Sequence, residues 1–272
     1  MSAQGGFRVD RLWPEPASDL DLNDTFADLR LAPPPPGRAW LGLNMVTTID
    51  GRATRLGSAE GMAGRADRRL MRLLRAAHDA VAVGAGTLRQ ADFFSRLPED
   101  LAARRVEAGR PAQPIAVVIG GAGTIPLDRR FFAGDQPRIV VVGSEHDPEV
   151  LDGLRGVAEV VMAPTPRPEP AWLLAVLRER GVDSVLLEGG PTTNAGFLAA
   201  DLIDELYWTV GALLLGNDGL PMIAPVPGGS PWEFAPRMGR LLSVHRSGED
   251  LFLRYRFAPA RPSRPGEIGP AA

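Results

Sequence analysis

The 272-residue chain has no cysteine and no lysine. The first absence removes disulfides, thiol nucleophiles and cysteine-ligated zinc. The second removes imine chemistry through a lysine amine and the lysine of a Walker-type phosphate loop. All 30 basic residues are therefore arginine. Only three histidines occur, His78, His146 and His245, far apart and without metal-ligand spacing. Neither a histidine metal centre nor a Ser-His-Asp hydrolase is expected. With only Tyr207 and Tyr255 and no lysine, the Tyr-x-x-x-Lys pair of short-chain dehydrogenases cannot form. No apolar run approaches the ~18 residues that suggest a membrane span. Residues 1–10 lack the apolar core of a signal segment, so a cytoplasmic protein without a membrane partner is expected. A net charge of −3 offers no dominant positive field, so nucleic acid is not an expected partner.

Three segments are expected. Residues 1–37 read as a Pro-rich leader ending in Pro33-Pro34-Pro35-Pro36-Gly37, where four prolines stiffen the chain and remove donors. Residues 38–257 alternate strand-like and helical patterns. Residues 258–272, rich in Pro, Gly, Arg and Ala, read as a disordered tail. In the middle segment, strands are expected at 41–46, 80–83, 115–119, 139–142, 157–162, 185–187 and 205–215. Helices are expected at 65–78, 171–180 and 193–200. The first of these helices places Leu70, Leu73, Leu74 and Ala77 on one face, and the second ends at Gly181. Residues 241–246 and 251–257 flank Ser247-Gly248-Glu249-Asp250 and predict a β-hairpin. The alternation implies an α/β fold with a mainly parallel central sheet flanked by helices, and a C-terminal antiparallel hairpin at one edge.

Two strand–glycine–helix junctions carry the candidate chemistry: Ala82-Val83-Gly84-Ala85-Gly86-Thr87 and Leu187-Glu188-Gly189-Gly190-Pro191-Thr192-Thr193. Glycines permit close approach of a ligand to the backbone, and the following helix offers free N–H groups to an anion. Neither matches G-x-G-x-x-G, but two such junctions at the carboxyl ends of strands mark the ligand edge of an open sheet. Asp50 follows the first strand as either a turn residue or a carboxylate at that edge. Glu188 ends a buried-type strand, where a carboxylate is costly unless paired or facing a cleft. In the helix from Arg65, spacing puts Arg68, Arg72 and Arg75 on one face, which is either solvated or a phosphate contact.

The stretch Leu43-Asn44-Met45-Val46-Thr47-Thr48-Ile49-Asp50-Gly51-Arg52-Ala53-Thr54 resembles the opening strand and loop of the RibD C-terminal family, the reductases of riboflavin biosynthesis. Further blocks follow in family order: Leu73 to Ala76 with Asp79 to Thr87, Leu187 to Thr192, and Leu202 to Leu206 with Leu215-Gly216. Met62-Ala63-Gly64 is similar to a single-domain branch. The resemblance implies a dihydrofolate-reductase-like fold, a homodimer, and NADPH as hydride donor. Its implied cofactor contacts are Thr54, Met62, Ala63, Gly84, Gly86, Thr87, Gly189, Gly190, Pro191, Thr192 and Thr193. The implied substrate is 5-amino-6-(5-phosphoribosylamino)uracil, reduced to the ribitylamino product. On this reading Asp50 and Glu188 flank the reacting sugar as catalytic carboxylates. Arg75 binds its phosphate, and Asn44, where fused members commonly carry a lysine, is a second substrate contact. The fused enzymes' deaminase needs zinc-binding cysteines, which this chain does not have. Two alternatives accompany this reading: a paralogous NADPH reductase for a dihydrofolate or pterin ring, and a non-catalytic nucleotide-binding protein.

Overall fold

The computed structural model describes residues 6–27, 29–91, 93–120, 125–145, 148–224 and 236–258. Its strands are β1 (Arg8–Trp13), β2 (Ala17–Asp21), β3 (Trp40–Thr48), β4 (Ala80–Gly84), β5 (Ile115–Ile119), β6 (Arg138–Val142), β7 (Glu159–Met162), β8 (Ser184–Leu187), β9 (Glu205–Gly211), β10 (Gly239–Ser247) and β11 (Asp250–Phe257). The helices are α1 (Leu22–Ala27), α2 (Arg65–Ala77), α3 (Ala85–Gln90), α4 (Glu99–Glu107), α5 (Pro148–Arg155), α6 (Pro170–Glu179) and α7 (Pro191–Ala199). No helix among the described residues is long and apolar enough to cross a membrane.

All eleven strands join one sheet in the order β2-β1-β10-β11-β9-β3-β8-β4-β5-β6-β7. The seven from β9 to β7 pair in parallel. Their short apolar runs, such as Ile-Ala-Val-Val-Ile and Ser-Val-Leu-Leu, suit strands covered on both faces. On one face, Leu173, Leu174 and Leu177 of α6 pack with Leu41, Leu43, Val185 and Leu187. On the other, Leu70, Leu73 and Leu74 of α2 pack with Trp40, Leu186 and Phe252. α6 starts at Pro170, in the first turn where a missing N–H costs nothing, and stops before Gly181 at φ +79°. The parallel and antiparallel halves are joined at β9 and β11. There Glu205, fully buried, takes hydrogen bonds from Arg254 Nε (2.7 Å) and Arg256 Nε (2.8 Å).

Four expectations need correction. Residues 8–27 are not part of a leader: β1 and β2 extend the sheet, and Val9 with Leu22 and Phe26 of α1 bury themselves against the α2 cluster. Their elements are only five or six residues long and interrupted by prolines, too short to show a period. The β10–β11 hairpin is consequently not at an edge, because β1 pairs outside β10. β9 ends at Gly211 rather than Leu215, since the amides of Leu215 and Gly216 turn to donate to Asp50 (3.2 and 2.7 Å). The helix after the Gly84 junction is present as α3, whereas helices α4 and α5 were not expected from the pattern. The expected tail beyond residue 258, and His146, lie outside the described residues.

Leu186 is fully buried between α2 and the sheet. Leu186→Ala should lower stability by about 2–5 kcal/mol, read as a fall in urea midpoint at unchanged slope.

Candidate active site

β4 and β8 are neighbours, so the two glycine junctions emerge side by side. The Gly84 N–H donates to the Gly189 carbonyl (2.8 Å), and the Glu188 N–H to that of Ala82 (2.9 Å). Gly84 has no room for a side chain, because a methyl group there would collide with Thr193 on α7. Gly189 holds φ +90°, a conformation that favours glycine. α7 then starts at Pro191, and no side chain caps its first turn, leaving N–H groups directed at the cleft edge.

Two adjoining compartments open over these junctions. The outer one, about 580 Å³, is lined by Gly86, Thr87, Arg89, Arg167, Thr192 and Thr193, among others. The inner one, about 230 Å³, is lined by Asn44, Thr54, Ser58, Asp67, Arg75 and Glu188, among others. Thr87, Gln90, Gly190 and Pro191 border both. The uncapped helix, the hydroxyls of Thr87, Thr192 and Thr193, and the two arginines suit a phosphorylated dinucleotide in the outer compartment. Among the described residues no group of three or more His, Asp or Glu is arranged to hold a metal ion.

At the floor of the inner compartment Arg75 and Glu188 form a fork: Nε to Oε1 at 2.7 Å and Nη2 to Oε2 at 2.6 Å. Their side chains are 7% and 8% exposed. Arg75 Nη1 donates to the Phe94 carbonyl (2.9 Å), and the guanidinium lies 5.3 Å from the Phe93 ring centre. This arrangement changes the role expected of Arg75. A guanidinium neutralised by a bidentate carboxylate presents little net charge to a phosphate. Arg68 and Arg72, expected on the same face as Arg75, are exposed. Neither makes an ion pair with a described residue.

Asp50 is also placed differently from expectation. It does not line either compartment. Its carboxylate accepts from the Thr48 hydroxyl (2.5 Å) and from the amides of Leu215 and Gly216. The Thr48 hydrogen bond, with those amides, holds its pKa below the usual aspartate value. Asp50 thus clamps the loop after β9. Met62 is buried under Gly211, and neither it nor Ala63 lines the cleft; Gly57, Ser58 and Ala59 do. Gly84 lies beneath the surface and shapes the cleft without lining it. Thr54 lines it while its Oγ1 accepts from the Leu220 amide (3.0 Å).

The residue that sequence reasoning missed is Asp67. Burial, reinforced by the charges of Asp250 and Glu188 and opposed by a Thr209 hydrogen bond and Arg68, raises its pKa to about 6. A signal was present: Asp67, Met71 and Arg75 recur at four-residue steps, the spacing of one helical stripe, and all three line the inner compartment.

A parallel sheet with a glycine-floored cleft at the carboxyl ends of its strands is the layout of nucleotide-binding α/β enzymes. Within that class, the chain belongs to the RibD C-terminal domain family, whose sequence profile matches residues 39–252. It is 31% identical over 221 residues to the 2,5-diamino-6-ribosylamino-4(3H)-pyrimidinone 5′-phosphate reductase of Methanothermobacter thermautotrophicus, covering 80% of this chain and 98% of that protein. It is also 31% identical over 195 residues to the riboflavin biosynthesis protein RibD of Chlamydia trachomatis, covering 69% of this chain and 49% of that one. Its fold is similar to that of a pyrimidine reductase-like protein from Corynebacterium diphtheriae, with a TM-score of 0.72 at 23% identity over 81% of this chain and 92% of the other.

Removing one member of the Arg75–Glu188 pair strands the other in a buried site. Arg75→Ala should destabilise the protein by about 3–5 kcal/mol, and the double change Arg75→Met with Glu188→Leu by much less. Urea unfolding of the two variants checks the difference.

Proposed function

We propose that the protein is an NADPH-dependent pyrimidine reductase that converts 5-amino-6-(5-phosphoribosylamino)uracil to its ribitylamino product. The observation that carries the reading is the two-compartment cleft at the joined glycine junctions. It occurs in a chain that aligns over nearly the whole length of a relative named as a pyrimidinone phosphate reductase. That relative's name specifies a 2-amino pyrimidine, so the diaminopyrimidinone phosphate is a second substrate of the same class.

When bound, the reduced nicotinamide supplies a hydride to C1′ of the ring-opened sugar. The protein's task is alignment and control of protons. Thr87, Thr192, Thr193 and the start of α7 hold the cofactor phosphates in the outer compartment. Thr54, Gly189, Gly190 and Pro191 line the passage inward, toward the nicotinamide. Asn44 meets the pyrimidine with both donor and acceptor groups. Glu188, fixed by Arg75, presents a rigid acceptor to the sugar hydroxyls. The substrate phosphate falls to Arg68 and Arg72, which stand one residue round the helix from the lining residues Asp67 and Met71. Arg89 and Arg167, at the wall of the outer compartment, take the 2′-phosphate that distinguishes NADPH from NADH.

Purified protein should oxidise NADPH, followed at 340 nm, when given either ribosylamino-pyrimidine phosphate, with a ribityl product by mass spectrometry. Turnover on dihydrofolate alone would replace this reading with the pterin-type reductase, and NADPH binding without turnover with the non-catalytic one. Arg89→Ala with Arg167→Ala should weaken NADPH binding about 10- to 100-fold, the loss expected for charge-assisted hydrogen bonds, and leave NADH affinity unchanged. Fluorescence titration of both nucleotides measures this.

A further inference from the structure

We propose that Asp67 is the acid that protonates the substrate nitrogen as C1′ is reduced. The inference rests on the reductase reading and adds a residue to it. Reduction of the ring-opened ribosylamine adds a hydride to the carbon of a C1′=N bond. The π pair moves to nitrogen, and that nitrogen takes one proton, giving the saturated ribitylamine. A group that carries a proton near neutrality must therefore stand beside the hydride path.

Among the described residues, the titratable side chains lining the inner compartment are Asp67, Arg75 and Glu188. Both oxygens of Glu188 accept N–H groups from Arg75, so that carboxylate is committed as an acceptor. Asp50 lies outside the compartment, with both oxygens likewise occupied. Of the described acids Asp67 remains, on the first full turn of α2, lining the cavity on the same stripe as Arg75.

Its surroundings favour the protonated acid. Asp250 on β11 is drawn close because its Oδ2 accepts the Gly64 amide at the start of α2 (2.7 Å). Glu188 faces Asp67 from the end of β8 as a second negative charge, partly offset by Arg75. Against these stand Arg68 on its own helix and the Thr209 hydroxyl of β9. Burial is the largest influence, and the net effect leaves the carboxyl titrating at about 6. A group titrating one unit below neutrality both gives a proton and recovers one from water through the cleft mouth.

Two independent readouts test this. In the reductase assay, Asp67→Asn should lower kcat about 100-fold or more with KM and NADPH affinity little changed, the span general acids usually contribute. The wild-type kcat should decline as pH rises through about 6, and that limb should vanish in the variant. Asp67→Glu, which keeps an acid, should retain the limb at reduced rate, and it carries the assay where Asp67→Asn does not fold. The second readout needs no ligand. The folded-state pKa lies above the unfolded value, so the wild type holds its proton more tightly when folded and loses that stabilisation as pH rises from about 4 to above 6. The melting temperature of wild type relative to Asp67→Asn should therefore fall across that window. A pH-independent difference, or an Asp67→Asn enzyme with full rate and an unchanged limb, overturns the proposal. If the wild type reduces neither pyrimidine phosphate, the reductase reading fails by itself, and the melting comparison still decides whether Asp67 holds a proton.

Discussion

The buried fork between Arg75 and Glu188 ties together three parts of the chain at the cleft. Arg75 belongs to α2, Glu188 to the end of β8, and the Phe94 carbonyl to the segment after α3. A charge pair so little exposed recovers its desolvation cost only in good geometry, and the two short hydrogen bonds with a third to the backbone supply it. The position of α2 over the sheet follows, and with it the stripe of side chains that forms one wall of the inner compartment. Glu188 in turn fixes the start of the Gly189–Gly190 turn, from which α7 and the outer compartment are built.

The carboxylates of this protein differ in role because they differ in surroundings. Asp50 faces two backbone amides and a hydroxyl, which favour its charged form, and it holds a loop. Glu205 sits between two arginines where the parallel and antiparallel halves join. Glu188 is matched to one arginine at the cleft floor. Asp67 alone has an acidic neighbourhood and little compensating charge. Side-chain type does not separate these four; only the partners brought by distant segments do.

Much of the parallel half was legible in the sequence. Strands β3 to β8 and helices α2, α6 and α7 announce themselves by apolar runs, helical spacing, and Pro or Gly at their ends. The two glycine junctions were legible as ligand-binding turns, and the order of motifs carried the family. What was not legible depended on pairing across the chain. Residues 8–27 contribute to the sheet only because β10 offers them an edge. Asp50 and Arg75 were read by residue type and spacing, but their hydrogen bonds come from residues 166 and 113 positions away. Asp67 is the one acid in an arginine-rich run, and the acids that surround it in the fold, Asp250 and Glu188, come from β11 and the end of β8.

The wall formed by Thr87, Gln90, Gly190 and Pro191 serves both compartments at once. Two ligands that border the same residues influence one another wherever either prefers a displaced setting of that wall. Whatever displacement of this wall one of them selects changes the free energy of seating the other, and by reciprocity the second changes the first equally. The sign of such a coupling depends on whether both occupants prefer the same setting of α3 against the start of α7.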